Sequence, residues 1–465
     1  MKSWATFVTL GLALAALAGW PSFVAQRPVP SAETTAALMT PAPVTPDYLQ
    51  RDQDVAFYER AVRRTPSDQI MARMLAGQYL MRFRERGDVG DLRRAQVAAQ
   101  RSLAIQPREN TGAEGELATV ALALHRFRDA QRYDEDVVRM EPWSSGDVAA
   151  LASTDMELGE YASAANLLAK HPDPYTDPSW ESSVARLDEL TGHLSAARVH
   201  IARGMNLVDS VIDNPAEARA WFHFRAGELA FESGDGPAAE RDLTEALALF
   251  PNDAKAYNAL ARVYCGEHRW REALASATHG ADLLPLPETL GYKADAQRAL
   301  GDGEGARETE DLIGAVERIG NAYGINDRAI AVYDSEHGEH LGDAVRIARR
   351  DLAARDDIFA EDTLAWALAM NGQWSSARLH AEKAVALGIE DSRVQFHAGM
   401  IATHTGHVAE ARDRLRRALS VNPHFHAVYA DEARRQLGSL RWTVVPPFGP
   451  LAGIGLNFPQ FRRKK

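Results

Sequence analysis

Between about residues 47 and 440, apolar side chains recur at three- and four-residue steps in short segments that break at Gly, Asp-Gly or Pro. Alternating runs of the kind a half-buried strand needs are almost absent. The pattern predicts an all-α chain made of many short amphipathic helices. It also repeats. Residues 220–251 place Gly227, Ala239, Leu243, Ala246 and Pro251 in a ladder that returns 34 residues later as Ala261, Ala273, Ala277, Ala281 and Pro285. The ladder returns again near the end as Gly399, Ala411, Leu415, Ala418 and Pro423.

The residue types in this ladder have a physical reason. Small side chains such as Gly227 and Ala239 let two antiparallel helices approach closely, and larger ones would wedge them apart. Leu243, Ala246 and Leu247 share one face of the second helix, and Pro251 ends it and redirects the chain. One such pair cannot bury its apolar face alone, whereas a stack of pairs can.

On these residues the sequence resembles the tetratricopeptide repeat (TPR) family. The resemblance implies a right-handed α-solenoid of helix pairs. Weaker copies fill the intervals, through Ala95, Ala99 and Pro107, through Ala118, Ala130, Val137 and Pro142, through Ala152, Gly159 and Ala164, and through Ala185, Gly192 and Ala197. Beyond Pro285 the pattern weakens through Ala294, Gly301 and Ala306, then Ala331 and Ala344, and recovers at Ala365, Gly372, Ala377 and Ala384. About ten repeats are expected, preceded by half a unit at residues 48–66 and closed by a capping helix at 426–440.

Composition narrows the function without naming a partner. At 46% hydrophobic and 25% charged, the 465-residue chain is neither disordered nor a multispanning membrane protein. Fifty-two basic against 64 acidic side chains leave a net charge of −12, which argues against nucleic acid as a partner. Seven lysines against 45 arginines make the polar surface rich in guanidinium groups. The one cysteine, Cys265, excludes an internal disulfide, and neither a CxxC pair nor a zinc-type Cys/His cluster is present.

The two ends differ from the repeats. Residues 1–25, with Lys2 before the apolar stretch 4–20, read as a signal peptide cleaved after Ala18 or Ala25, or as an uncleaved membrane anchor. Residues 26–46, with Pro28, Pro30, Pro41, Pro43 and Pro46, read as a linker. Either reading places the 47–440 repeat domain outside the cytoplasm, periplasmic, extracellular or tethered. Residues 441–465 form a Pro- and Gly-rich apolar tail with a basic end, read either as a segment lying extended on a partner or as a floppy terminus.

The TPR resemblance further implies a concave groove, lined by the first helix of each pair, that takes a protein or peptide. Trp221, Phe224, Glu228, Phe231, Lys255, Asn258 and Arg262 should project into it, with Arg186, Phe359, Trp366, Phe396 and Met400 at corresponding positions. The competing reading places these aromatics in the core. The basic carboxylate clamp of some chaperone-binding members is matched only in part, by Lys255, Asn258 and Arg262. No catalytic motif, metal site or cofactor site is expected: HExxH, GxSxG and P-loop patterns are absent, and Cys265 reads as structural. The leading expectation is therefore a non-enzymatic scaffold assembling or tethering a cell-envelope complex. A metal-binding accessory protein or enzyme subunit using the C-terminal histidines, His404 and His407 among them, and a self-associating structural protein are the alternatives. The oligomeric state stays open.

Overall fold

A computed structural model describes residues 46–170, 177–211, 213–323 and 327–440. The leader, residues 26–45 of the linker, and the 441–465 tail lie outside the described residues. The helical unit begins at Pro46.

Twenty-two α-helices and no strand occur among the described residues. They are α1 (Arg51–Arg64), α2 (Gln69–Arg86), α3 (Val89–Ile105), α4 (Thr111–Ala123), α5 (Phe127–Met140), α6 (Ser145–Glu157), α7 (Tyr161–Ala169) and α8 (Pro178–Leu190). There follow α9 (Leu194–Asp209), α10 (Ala216–Glu232), α11 (Gly236–Leu249), α12 (Ala254–Gly266), α13 (Trp270–Leu283), α14 (Pro287–Ala299) and α15 (Gly303–Tyr323). The last are α16 (Asp327–His337), α17 (Leu341–Ala354), α18 (Ile358–Met370), α19 (Trp374–Ala384), α20 (Ser392–His404), α21 (Val408–Val421) and α22 (Tyr429–Leu440). Each even-numbered helix from α2 to α20 pairs with its successor, giving ten hairpins, and α22 closes the last one. The chain is thus an all-α solenoid of TPR-type helix pairs.

Local chemistry sets the punctuation. Aspartates cap many first helices: Asp68, Asp177, Asp253, Asp357 and Asp391 each accept hydrogen bonds from backbone N–H groups of the first turn. The turn inside each of hairpins two to ten closes with an amide reaching back five residues, as in Glu160 to Asp155 O at 2.8 Å, Asp235 to Ala230 O at 2.9 Å and Gln373 to Leu368 O at 2.8 Å. That motif needs a left-handed residue, supplied mostly by glycine and in two hairpins by His125 and His268. Both of these rings stack on the aromatic two residues on, Phe127 and Trp270.

The small ladder residues act as close-approach points. A Cβ on Gly227 would stand 2.6 Å from Leu243 Cγ, and one on Gly399 would stand 2.8 Å from Leu415 Cγ. Ala239, Ala273, Ala411 and their equivalents are fully buried. Leu243→Ala, at 0% exposure, is expected to cost about 2–5 kcal/mol in urea unfolding, because a core without slack cannot collapse on the cavity.

The solenoid coils tightly enough to touch itself. The turn of one hairpin meets the loop that follows the fifth hairpin beyond it. Gly87 lies against Leu284 after hairpin six, a Cβ on Gly159 would meet Asp356 O at 2.0 Å, and one on Gly192 would meet Gly388 O at 2.2 Å. A Cβ on Gly234 would stand 2.6 Å from Val421 O in the same sense, and one on Gly266 would stand 2.1 Å from His424 O, so the loop after hairpin ten covers the turns of both hairpins five and six. Hydrogen bonds follow this seam. Ile358 N–H donates to Tyr161 Oη at 2.8 Å, Arg355 to Glu157 at 2.8 Å, Asn422 Nδ2 to Phe231 O at 2.6 Å, and His268 Nε2 bonds Ala427 O at 3.0 Å. The N-terminal segment continues the staircase, with Asp47 accepting from Ala216 N and Tyr48 edge-on to Phe250.

Candidate functional site: a charged inner face

The first helices of successive hairpins turn one face toward the inside of the coil, and there the side chains are charged rather than apolar. Glu189 on α8, 5% exposed, accepts from Arg186 at 2.6 Å and from Arg225 of the next hairpin at 2.8 Å. Arg225 also holds Glu228 at 2.5 Å. Farther along, Arg393 on α20 reaches Glu336 on α16 at only 3.5 Å, and His426 stands 4.0 Å from the same carboxylate. His337 faces Asp295 at 3.3 Å. Many of these groups, Arg186, Arg225, Glu228 and Arg393 among them, keep 15–30% of their side-chain surface in reach of water. The inner face is lined by paired charges that stay partly exposed.

The lining perturbs proton affinity. Burial, together with the like charges of Glu189 and Asp391, pushes the Glu232 carboxyl up. Burial also raises Glu288, with Arg393 as a partial counterweight. Burial, helped by the positive charges of Arg393 and His337, sets His426 down at about 4 against Glu336 and Asp295, while for His337 the Asp295 carboxylate overrides burial and holds the imidazole up at about 9. One of these two histidines is neutral and the other charged near neutrality.

The sequence-predicted residues divide. Phe224 and Phe231 are buried in the core of hairpins five and six, and Trp221 packs partly buried against that core, edge-on to Phe222. Glu228 is on the inner face with Arg225. Arg262 lies with its guanidinium 4.9 Å from the Phe231 ring centroid and within electrostatic reach of Glu232, Glu288 and Tyr292. Asn258 accepts from Thr289 Oγ1 at 3.0 Å, and Lys255 is exposed. Arg186 sits over the Phe359 ring at 5.1 Å, bridging the two coils, and Trp366, Phe396 and Met400 are core. Sequence reading missed Glu189, Arg225, Glu232, Arg393 and Glu336. The detectable signal was the acid and base spacing of three and four residues on first helices, which on an isolated helix denotes a solvated face.

Other candidate chemistry is scattered. Among the described residues no group of three or more His, Cys, Asp or Glu side chains is arranged to hold a metal ion. His404 stacks on Trp374 with centroids 3.8 Å apart, while His407 precedes α21 and bonds Thr405 through Nδ1. Cys265 is buried and its thiol is pushed far up by burial, which makes it unreactive. A small cavity beside α16, α18 and α20 is lined by Ser335, Trp366, Arg393 and His397, whose Nδ1 faces Asp362 at 3.0 Å.

A second buried acid stands apart, on hairpin two. Burial pushes Glu116 up to about 8, with only a partial offset from Arg73. Its folded value exceeds its unfolded one, so its contribution to stability is full below about pH 4.5 and is lost as pH rises through about 8. Glu116→Gln is therefore expected to match the parent near about pH 4.5 and to be increasingly more stable up to about pH 8, read as urea midpoints.

No family model matches the chain, and no curated protein matches its sequence. Solved structures similar to it include PilW, described as a widely conserved type IV pilus biogenesis factor, at 16% identity and TM-score 0.38 over 45% of this chain and 94% of that one. Yeast Tom70 is similar at 13% identity and TM-score 0.32 over 83% and 93% of the two chains. A tetratricopeptide repeat protein from Parabacteroides merdae is similar at 15% identity and TM-score 0.32 over 57% and 98%. At these levels no shared function follows, and the description of the fold rests on the hairpins of this chain itself.

Proposed function

We propose that this chain is a non-enzymatic scaffold that holds an extended segment of a protein partner along its charged inner face. A rigid, preformed surface loses little conformational freedom when it binds, and its partly exposed charges give a passing chain specific places to dock. The observation that carries the reading is the run of partly exposed charges from Arg186 and Glu189 through Arg225, Glu228 and Arg262 to Arg393 and Glu336, on the first helices of hairpins four to six, eight and ten.

The place of action belongs to the same proposal. The apolar stretch 4–20 and the proline-rich 26–46 segment support export, as a cleaved signal or an anchor, and a role in assembling or tethering an envelope complex. None of the described helices is long and apolar enough to cross a membrane. In a test, a partner captured by crosslinking in the native envelope is purified and its affinity for the chain measured. Arg262→Glu is expected to weaken that affinity by about tenfold or more. Unchanged affinity, with the helical content intact, would reject the inner face as the binding surface.

A further inference from the structure

The seam between coils is a repeating interface, and among the described residues not all of its sites are filled. The turns of hairpins one and three to five each receive the loop that follows the fifth hairpin beyond, and the turn of hairpin six shares with that of hairpin five the loop after hairpin ten. Among the described residues the turns of hairpins seven to ten have no such loop. Gly301, Gly338, Gly372 and Gly406 carry the same left-handed backbone, with φ of +89°, +70°, +77° and +81°, and no described atom lies within 4 Å of where their Cβ would be. All four are exposed. This row of turns has the backbone geometry of a row that elsewhere in the molecule is covered.

The opposite side of the interface is also in surplus. The loops after hairpins six, eight, nine and ten sit on turns, but those after hairpins one and two, residues 106–110 and 141–144, are exposed at residues 107–109 and 142–143. Each surplus row carries an exposed apolar side chain. Trp143 in the second loop is 73% exposed, the highest among the large apolar residues described, and Leu300 beside Gly301 is 42% exposed. Isolated exposed leucines need no explanation, but a solvent-facing tryptophan on a loop of the seam type does.

We infer that the turns of hairpins seven to ten bind the 106–110 and 141–144 loops of a second copy of this chain, continuing the superhelix from one molecule into the next. The argument is continuity. The fold already shows which surface these turns accept, and the free loops of another copy are that surface. Because the two rows differ, the contact is head-to-tail and does not close on itself, so it yields linear strings rather than a two-fold dimer. Each junction repeats a seam made of a few backbone contacts, so association is weak and grows with concentration.

The test uses the full chain in mild detergent, so that residues 4–20 do not associate, with light scattering over a concentration series. The weight-average mass is expected to rise past twice the monomer mass without a plateau. Trp143→Asp and Leu300→Glu each spoil one row at an exposed position, so both variants fold and each alone stays monomeric. Mixed together they retain one good junction, and the mixture should stop at dimers. Leu379→Glu, 65% exposed on α19 away from both rows, should associate as the parent does. A parent that stays monomeric throughout, a dimer plateau in the parent, or association that survives both substitutions would overturn the inference. Association that emerges only after removal of residues 441–465 would assign the turn row to the chain's own tail and overturn it equally.

Discussion

Replacing Gly159 or Gly192 with alanine is expected to cost about 3–5 kcal/mol, against about 1–2 kcal/mol for the same change at Gly372 or Gly406. All four glycines are left-handed turn residues, and alanine is strained at each by a similar amount. The difference comes from what stands opposite. At Gly159 and Gly192 the new methyl would lie 2.0 Å and 2.2 Å from a carbonyl oxygen of the next coil, which is backbone and cannot swing aside. The seam must part locally. With it go the Tyr161–Ile358 and Arg355–Glu157 contacts and the seat of Arg355 over the Phe127 ring, 4.8 Å away. At Gly372 and Gly406 the methyl meets no described atom within 4 Å. Chemical denaturation of the four variants side by side measures this, and equal losses at all four would mean the seam does not hold in solution.

Glu189→Ala should be comparably damaging, at about 3–5 kcal/mol, for a different reason. The carboxylate is 5% exposed and is shared by Arg186 and Arg225, so its removal leaves two guanidinium groups facing each other with less compensation. Burial and the two arginines act oppositely on Glu189, and the arginines prevail, since its carboxyl is held below the usual range. The loss should therefore lie in the stranded charges rather than in the missing volume. Replacing the trio together, by Arg186→Met, Glu189→Leu and Arg225→Met, is expected to recover most of the stability, because a buried ion cluster and a packed apolar cluster of like size are close in free energy. A triple variant as unstable as Glu189→Ala would contradict that explanation.

These two effects mark where the sequence is and is not informative. The hairpins were legible because their determinants are local. Gly227 against Leu243, the aspartate caps and the left-handed turn glycines act within one 34-residue unit and recur with it. Ten hairpins followed from that spacing. The seam was not legible, since Tyr161 meets Ile358 across 197 residues and the register depends on small rotations summed over five hairpins. In sequence Gly159 and Gly372 look alike.

The inner face was partly legible for a related reason. Arg186, Glu228 and Arg262 belong to it, and their positions on first helices pointed there. Phe224 and Phe231 share those helices but are turned into the packing between hairpins, because a large aromatic gains more from full burial than from a partly exposed charged face. Glu189 and Arg225 look like solvated helix-surface residues until a neighbouring hairpin encloses them.

The most direct test of the coiled solenoid is the distance between its coils. Cysteines placed at Glu160 and Asp356 can carry spin labels without interference from Cys265, which is buried. Seated coils give one narrow distance distribution at the short end of the measurable range. A broad distribution at long distances would show hairpins stacked in an open coil, and would contradict the seam on which the inner face and the unfilled turns both depend.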